Sequence, residues 1–192
     1  MKKKFYLDLP FGMILLGGGF FMGGLLGFLF AGLIGGAGEV GLTSYFLDYL
    51  QAAKEGQTQA NFLTVLWGNM KFPLIAFFMG FSFLGTLGLP ILFGVEGFVF
   101  TFSVSTLCRV LGVSGLIPSF LLFALPSLIW VPILFVLGLQ SFYAAILLWG
   151  RGRKEDVYPK GYFFRSFLCL LGLFANVTFE YLLLPNLLQA VL

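Results

Sequence analysis

Three charged residues stand within or at the ends of long apolar runs: Glu96, Arg109 and Glu180. A charge in such surroundings either pairs, snorkels to the headgroups, or does acid and base work along a proton or ion path. Arg109 and Glu180 fall at compatible depth on one side of the chain's hydrophobic layer and are expected to pair or to snorkel. Glu96 lies near the opposite side, where Arg151 or Arg165 could meet it. No chain of ionisable groups continues through the middle of the layer. Asn176, Thr178, Ser119 and Ser127 supply most of the polarity there, which weighs against a proton path.

The rest of the catalytic repertoire is thin. The chain contains no His, so an imidazole base and a His metal ligand are both excluded. Cys108 and Cys169 lie in apolar runs without C-x-x-C spacing and read as packing residues. Among eight carboxylates, no two form an E-x-x-E or D-x-D pair within a span, and the adjacent Glu155 and Asp156 sit in a polar loop. A metal-dependent phosphotransferase has no ligand set, and the glycines form neither a P-loop nor a dinucleotide fingerprint. Neither a metal nor a cofactor is expected, and an intramembrane enzyme is the weakest reading, because Glu96, Arg109 and Glu180 would have to do acid and base work from opposite membrane faces.

Composition names the solvent in which these residues must be positioned. Of 192 residues, 59% are hydrophobic, 19% aromatic and only 10% charged, with a mean hydropathy of +1.01. An ordinary soluble domain carries about 25% charge, and a globule this small has too much surface to hide 26 Phe beside its Leu, Ile and Val. The solvent is lipid, and the expected fold is an all-α, polytopic helix bundle of five spans forming a single membrane domain. A net charge of +3 spread through apolar sequence forms no stripe of phosphate contacts, so no nucleic-acid partner is expected.

The spans are expected at 10–37, 72–93, 97–111, 115–149 and 162–184, with an outer loop at 38–71 and an inner basic loop at 150–161. Lys2, Lys3 and Lys4 precede the first run as a signal-peptide n-region would. That run far exceeds an h-region of about 7 to 15 residues, so it is expected to stay as a membrane helix. In the outer loop, Thr43 and Ser44 can cap a helix with Phe46, Tyr49, Leu50 and Ala53 on one face. Asn61 can cap another carrying Phe62, Val65, Leu66 and Trp67; both are expected to be interfacial. The fourth run contains Pro118, Pro126 and Pro132 and would reach about 50 Å as one helix, so it should tilt, kink or break. If the short third segment were re-entrant, this run would have to cross twice.

Eight of the eleven basic residues, namely Lys2, Lys3, Lys4, Arg151, Arg153, Lys154, Lys160 and Arg165, fall on one side under four crossings; Lys54, Lys71 and Arg109 remain. Positive-inside counting then places the N-terminus in the cytoplasm and the C-terminus outside a multi-pass cell-membrane protein. Membrane lipids are expected partners, and the inner loop's basic residues suit anionic headgroups. The first span also carries a ridge at four-residue spacing, Gly19, Gly23, Gly27, Ala31 and Gly35, that allows close backbone approach. It can serve packing within the chain, or docking of a second copy or of another membrane protein.

The stretch LWGNMKFPLIAFFMGFSFLGTLGLPILFGVEGFVFTFSVSTL, Leu66 to Leu107, resembles the stage II sporulation protein M family. The resemblance rests on an Asn before the second span, here Asn69, a Gly-spaced helix, here Gly80, Gly85 and Gly88, and a following Gly, here Gly97. The run LPSLIWVPILFVLGLQSF is similar to an LP-then-VP stretch of the sporulation branch. Other branches carry a Pro-His-Gly and a Glu here, whereas Pro126 is followed by Ser127 and Leu128. The resemblance covers nearly the whole chain in span order. It implies a non-enzymatic membrane scaffold that recruits and anchors the peptidoglycan hydrolases known as stage II sporulation proteins D and P. Their work is septal wall degradation during forespore engulfment. A small membrane transporter, or the membrane subunit of one, is the alternative, with its best feature in the proline-interrupted run.

Overall fold

The structure, a computed structural model, describes residues 3–33, 61–111, 125–151 and 161–191, with positions 41, 44, 48 and 51. These residues form an all-α bundle of five helices: α1 (Lys3–Leu33), α2 (Phe62–Met79), α3 (Gly85–Leu111), α4 (Leu125–Arg151) and α5 (Tyr162–Val191). Each holds a segment long and apolar enough to cross a membrane: Phe11–Leu33, Phe62–Met79, Gly85–Arg109, Pro126–Leu148 and Tyr162–Leu182. Helices fit this role because each satisfies its backbone groups internally where no water can do so. The chain is a multi-pass membrane protein.

The helix limits differ from the sequence expectation in the middle of the chain. Asn61 does cap a helix, its side-chain oxygen accepting from the Leu63 amide at 3.2 Å. That helix is the second span itself, and not an interfacial element ahead of a span at 72–93. The chain reverses at 80–84 rather than around Glu96. There the last amides of α2 tighten onto i−3 carbonyls, Gly80 to Phe77 at 3.1 Å and Ser82 to Met79 at 3.1 Å. The Ser82 hydroxyl then accepts from the Leu84 amide at 3.2 Å, opening α3 as a helix cap does. A glutamate is a good helix former, so Glu96 does not interrupt α3, and the third segment is a full span of 27 residues. Of the first interfacial helix expected between Thr43 and Ala53, only Ser44, Asp48 and Gln51 are described, each helical; Gly35 and the Pro118 part of the fourth run, with Ser119, lie outside the described residues. Within them the fourth run is one helix, with Pro126 in its first turn and Pro132 inside it.

The most extensive pairing joins α1 to α3. A Cβ built on Gly19 would lie 2.6 Å from the Pro90 carbonyl oxygen. Cβ atoms on Gly23 and Gly27 would overlap the carbonyl oxygens of Gly94 and Phe98, and one on Gly97 would overlap that of Phe20. The facing positions 19 and 90, 23 and 94, 27 and 98 keep one constant offset. α1 and α3 therefore run parallel in fixed register, backbone against backbone, with α2 returning the chain between them. This is the packing that small residues permit in lipid, where dispersion contact rather than water release holds helices together.

The core lies where α1 to α4 meet, with Leu16, Ala76, Leu89, Phe93, Leu134 and Phe142 buried together. Phe93 meets Phe135 edge to face at 4.9 Å between ring centres, a preferred aromatic geometry. Gly138 leaves room for the Phe93 ring. α5 is tied on at both ends. Tyr162 is buried and its hydroxyl lies 3.4 Å from the Ser141 hydroxyl, while Phe62 packs on Tyr181 at 5.2 Å. The outward faces carry exposed large side chains such as Ile14, Phe21, Leu87, Leu128 and Phe164, as a lipid solvent allows.

Candidate functional site

Helices α2 to α5 do not close completely on one another. They enclose a cavity of about 240 Å³, far above the space one water needs. α2 contributes Gly68, Asn69, Lys71 and Phe72; α3 contributes Glu96, Val99, Phe100 and Ser103. α4 adds Pro126, Ser127 and Trp130 from its first two turns, and α5 adds Asn176 and Glu180. The spacings are helical: Glu96, Phe100 and Ser103 fall at i, i+4 and i+7, and Asn176 and Glu180 at i and i+4, so each helix turns one stripe inward.

Depth follows from helix rise. Glu96 lies about 17 Å along α3 from Gly85, and Lys71 about 14 Å along the antiparallel α2 from Phe62. Both are well inside a hydrocarbon layer of about 30 Å. Pro126, in the first turn of α4, and Glu180, near the end of the Tyr162–Leu182 span, mark the limit of the cavity toward the α4 N-terminus. Gly68 and Lys71 are exposed on the bundle surface, and Val99 is 44% exposed, so the mouth faces outward between α2 and α3.

The polar groups are of both signs and incompletely satisfied. Glu96 is 6% exposed, and its Oε1 has no hydrogen-bond partner among the described residues. The Trp130 indole Nε1 is likewise buried without a partner. Lys71 lines the same cavity as Glu96, and its ammonium stands 5.0 Å from the centre of the Phe72 ring, a cation–π arrangement. Asn69 donates through its amide to the Val65 carbonyl at 3.2 Å, which leaves its amide oxygen available to accept. Orphaned buried polar atoms cost stability unless something meets them. A charged set inside a membrane bundle is a functional site by default.

The three membrane charges singled out in the sequence are thus arranged differently from expectation. Arg109 does not meet Glu180: its guanidinium donates to the Ala31 carbonyl, beside Phe28, Gly32 and Cys108. Glu180 instead lines the same cavity as Glu96 and Lys71, which Arg165 does not line; the Arg151 side chain lies outside the described ones. Arg109 thus ties α3 to the neighbouring parallel helix α1 at the level of Ala31. Of the midlayer polar residues, Asn176 and Ser127 line the cavity, whereas Thr178 donates to its own Phe174 carbonyl at 2.9 Å.

The glycine positions fall at contacts. Gly19, Gly23 and Gly27 are consumed by α3, and Ala31 is buried with its carbonyl taken by Arg109. Gly80 packs where a Cβ would overlap the Tyr162 hydroxyl and lie 3.0 Å from Ser141 Cα. At Gly85 a Cβ would overlap the Met79 carbonyl, and at Gly88 it would lie 2.8 Å from Met79 Cε. Lys71, Ser103 and Trp130 are the polar cavity residues that sequence reasoning missed. Lys71 looked like a loop residue, and the signal that finds it is its place one helical turn after Gly68 in a run capped by Asn61.

In comparison with known proteins, no protein-family model, no curated protein and no solved structure matches this chain.

Proposed function

We propose that the chain is a non-enzymatic scaffold of the cell membrane, similar to the stage II sporulation protein M family, that recruits and anchors peptidoglycan hydrolases. By that resemblance its partners are the stage II sporulation proteins D and P, and its setting is septal wall degradation during engulfment. The observation that carries the reading is where the resembling residues fall. Asn69, Gly80, Gly85, Gly88 and Gly97 all belong to the α2–α3 hairpin, and a side chain at any of the four glycines would meet a neighbour. The basic asymmetry of the sequence supports a cytoplasmic N-terminus and an extracytoplasmic C-terminus, which puts the connection between α1 and α2 on the side of the wall.

The small-residue ridge cannot be the docking face while α3 fills it. The contact with a partner's membrane anchor is then assigned to the outward face of α1, where Phe21, Leu25, Leu29 and Leu33 are exposed at four-residue spacing. The test is affinity purification in mild detergent from the native host, under conditions that switch the gene on, with bound proteins identified by mass spectrometry. Peptidoglycan hydrolases recovered with the wild type and lost when Phe21 and Leu29 are replaced by Ala are the expected result. Absence of any hydrolase from the wild-type sample defeats the scaffold reading.

A second reading is favoured by the cavity: a small transporter, or the membrane subunit of one, with Glu96, Lys71 and Glu180 on the substrate path. Charged groups buried between helices are what such proteins use near the layer's middle. Uptake of labelled polar solutes into proteoliposomes, abolished by Glu96→Gln, is its test.

A further inference from the structure

The cavity holds two orphaned groups of opposite hydrogen-bonding sense. Glu96 Oε1 is an acceptor with no donor, in a side chain 6% exposed. Trp130 Nε1 is a donor with no acceptor among the described residues, as Glu96 Oε1 has no donor among them. An inorganic cation would serve the first and leave the second unmet, and an anion would do the reverse. The charge balance has the same double character: among the described residues, the carboxyl groups of Glu96 and Glu180 share the cavity with a single ammonium, that of Lys71. A guest must bring positive charge for the acids and an oxyanion for Lys71 and the indole.

The walls narrow the choice. Phe72, Phe100 and Trp130 line the cavity, and aromatic faces attract an organic cation but supply no ligands to a metal ion that requires several oxygens. A volume of about 240 Å³ also exceeds what a bare ion fills. The carboxylates and the Asn69 amide oxygen are acceptors, which suits a cation carrying N–H donors better than a quaternary one.

We propose that the cavity binds a small zwitterion that joins a primary ammonium to an oxyanion, the ammonium against Glu96 and Glu180 and the oxyanion against Lys71 and Trp130 Nε1. This deepens the transporter reading, on which it rests for its purpose, but binding itself is independent of transport. The same chemistry has two sources. One is a free solute such as O-phosphoethanolamine. The other is the headgroup of phosphatidylethanolamine, which the outward mouth beside Gly68 and Lys71 would admit from the bilayer.

The test is thermal unfolding of the full chain. One arm adds O-phosphoethanolamine to protein in mild detergent; the other compares phosphatidylcholine nanodiscs with and without phosphatidylethanolamine. Phosphocholine, which keeps the oxyanion and lacks N–H donors, and ethanolamine, which lacks the oxyanion, are the controls. A rise of several degrees in the soluble arm, or in the lipid arm alone, supports the site and identifies its source. The rise should vanish in both Glu96→Gln and Trp130→Phe, and if Glu96→Gln elutes as aggregate, Trp130→Phe decides. No rise in either arm, an equal rise with phosphocholine or ethanolamine, or a rise unchanged in Trp130→Phe overturns the proposal. Binding without flux of the same labelled solute in proteoliposomes keeps the site and removes the transporter reading.

Discussion

Gly23 of α1 stands against Gly94 of α3 so closely that a single added methyl group would overlap the Gly94 carbonyl oxygen. Two helices separated in sequence by α2 thus touch through their backbones, and the ridge that could have bound another protein is spent on holding α1 in place. The energetics follow from crowding: the atoms in the way are backbone, which cannot rotate aside.

Gly23→Leu is therefore expected to disrupt the α1–α3 pair rather than to release a partner from an intact scaffold. Overpacking costs about 1–3 kcal/mol in cores that can shift, and this site should lie at or above the upper end. Gly32→Leu is the control, because nothing lies within 4 Å of a Cβ there. Thermal unfolding in detergent should fall sharply for the first and stay near wild type for the second; equal midpoints would show that the two helices are not packed in this register.

Arg109 closes the same helix pair at its far end by donating to the Ala31 carbonyl. Ala31 lies in the last described turn of α1, and the bond ties the two parallel helices together at that level. Arg109→Ala should lower stability by about 1.5–3 kcal/mol, the range for hydrogen bonds to charged groups. Arg109→Lys should recover part of the loss. Since Glu180 is not its partner, Glu180→Gln combined with Arg109→Ala should give additive losses in unfolding free energy. A coupling well above 0.5 kcal/mol would restore the ion pair expected from depth alone.

The arrangement of charges was the part least legible in the sequence. Spans, their number and the all-helical class follow from long apolar runs, because lipid leaves few alternatives to helices. The N-terminal cap of α2 was visible in Asn61, although the helix it opens proved to be the span itself. The reversal at 80–84 was hidden because its signals, Gly80 and the Ser82 hydroxyl, sit among Phe and Leu, whereas Glu96 stood out as a polar residue and suggested a boundary. Polarity marks what a residue costs to bury, not where backbone hydrogen bonds end. The i, i+4 pairing of Asn176 with Glu180 was available as a sign of one inward stripe. Which stripes converge was not, since that depends on how helices distant in sequence rotate against one another.

Gly80 and Tyr162 test how the reversal is seated. A Cβ on Gly80 would overlap the Tyr162 hydroxyl and crowd Ser141, so Gly80→Ala should destabilise the bundle by about 1–3 kcal/mol. Removing the hydroxyl by Tyr162→Phe relieves one of the two clashes at the cost of its contact with Ser141. The double variant should therefore lose less than the sum of the single changes, and a double-mutant cycle by thermal unfolding reads the difference. Simple additivity would mean that Ser141 alone sets the limit at Gly80.

Glu96 separates stability from function most directly. Its Oε1 is buried with no partner, in a helix whose neighbours on the same stripe are Phe100 and Ser103. A buried polar atom without a partner costs about 1–3 kcal/mol, and groups kept at such a cost are commonly those that a binding site requires. Glu96→Leu removes the orphaned oxygen while roughly keeping side-chain volume, so the unliganded protein should become more stable by about 1–2 kcal/mol. The same variant should lose all stabilisation by a zwitterionic guest, because the remaining acid, Glu180, lies at the edge of the cavity. A higher unfolding midpoint in the absence of ligand, together with a flat response to O-phosphoethanolamine and to phosphatidylethanolamine, is the expected pair of results. If Glu96→Leu instead lowers the midpoint, the carboxyl contributes to the fold itself, and the cavity's polarity is structural rather than a site held open for a guest.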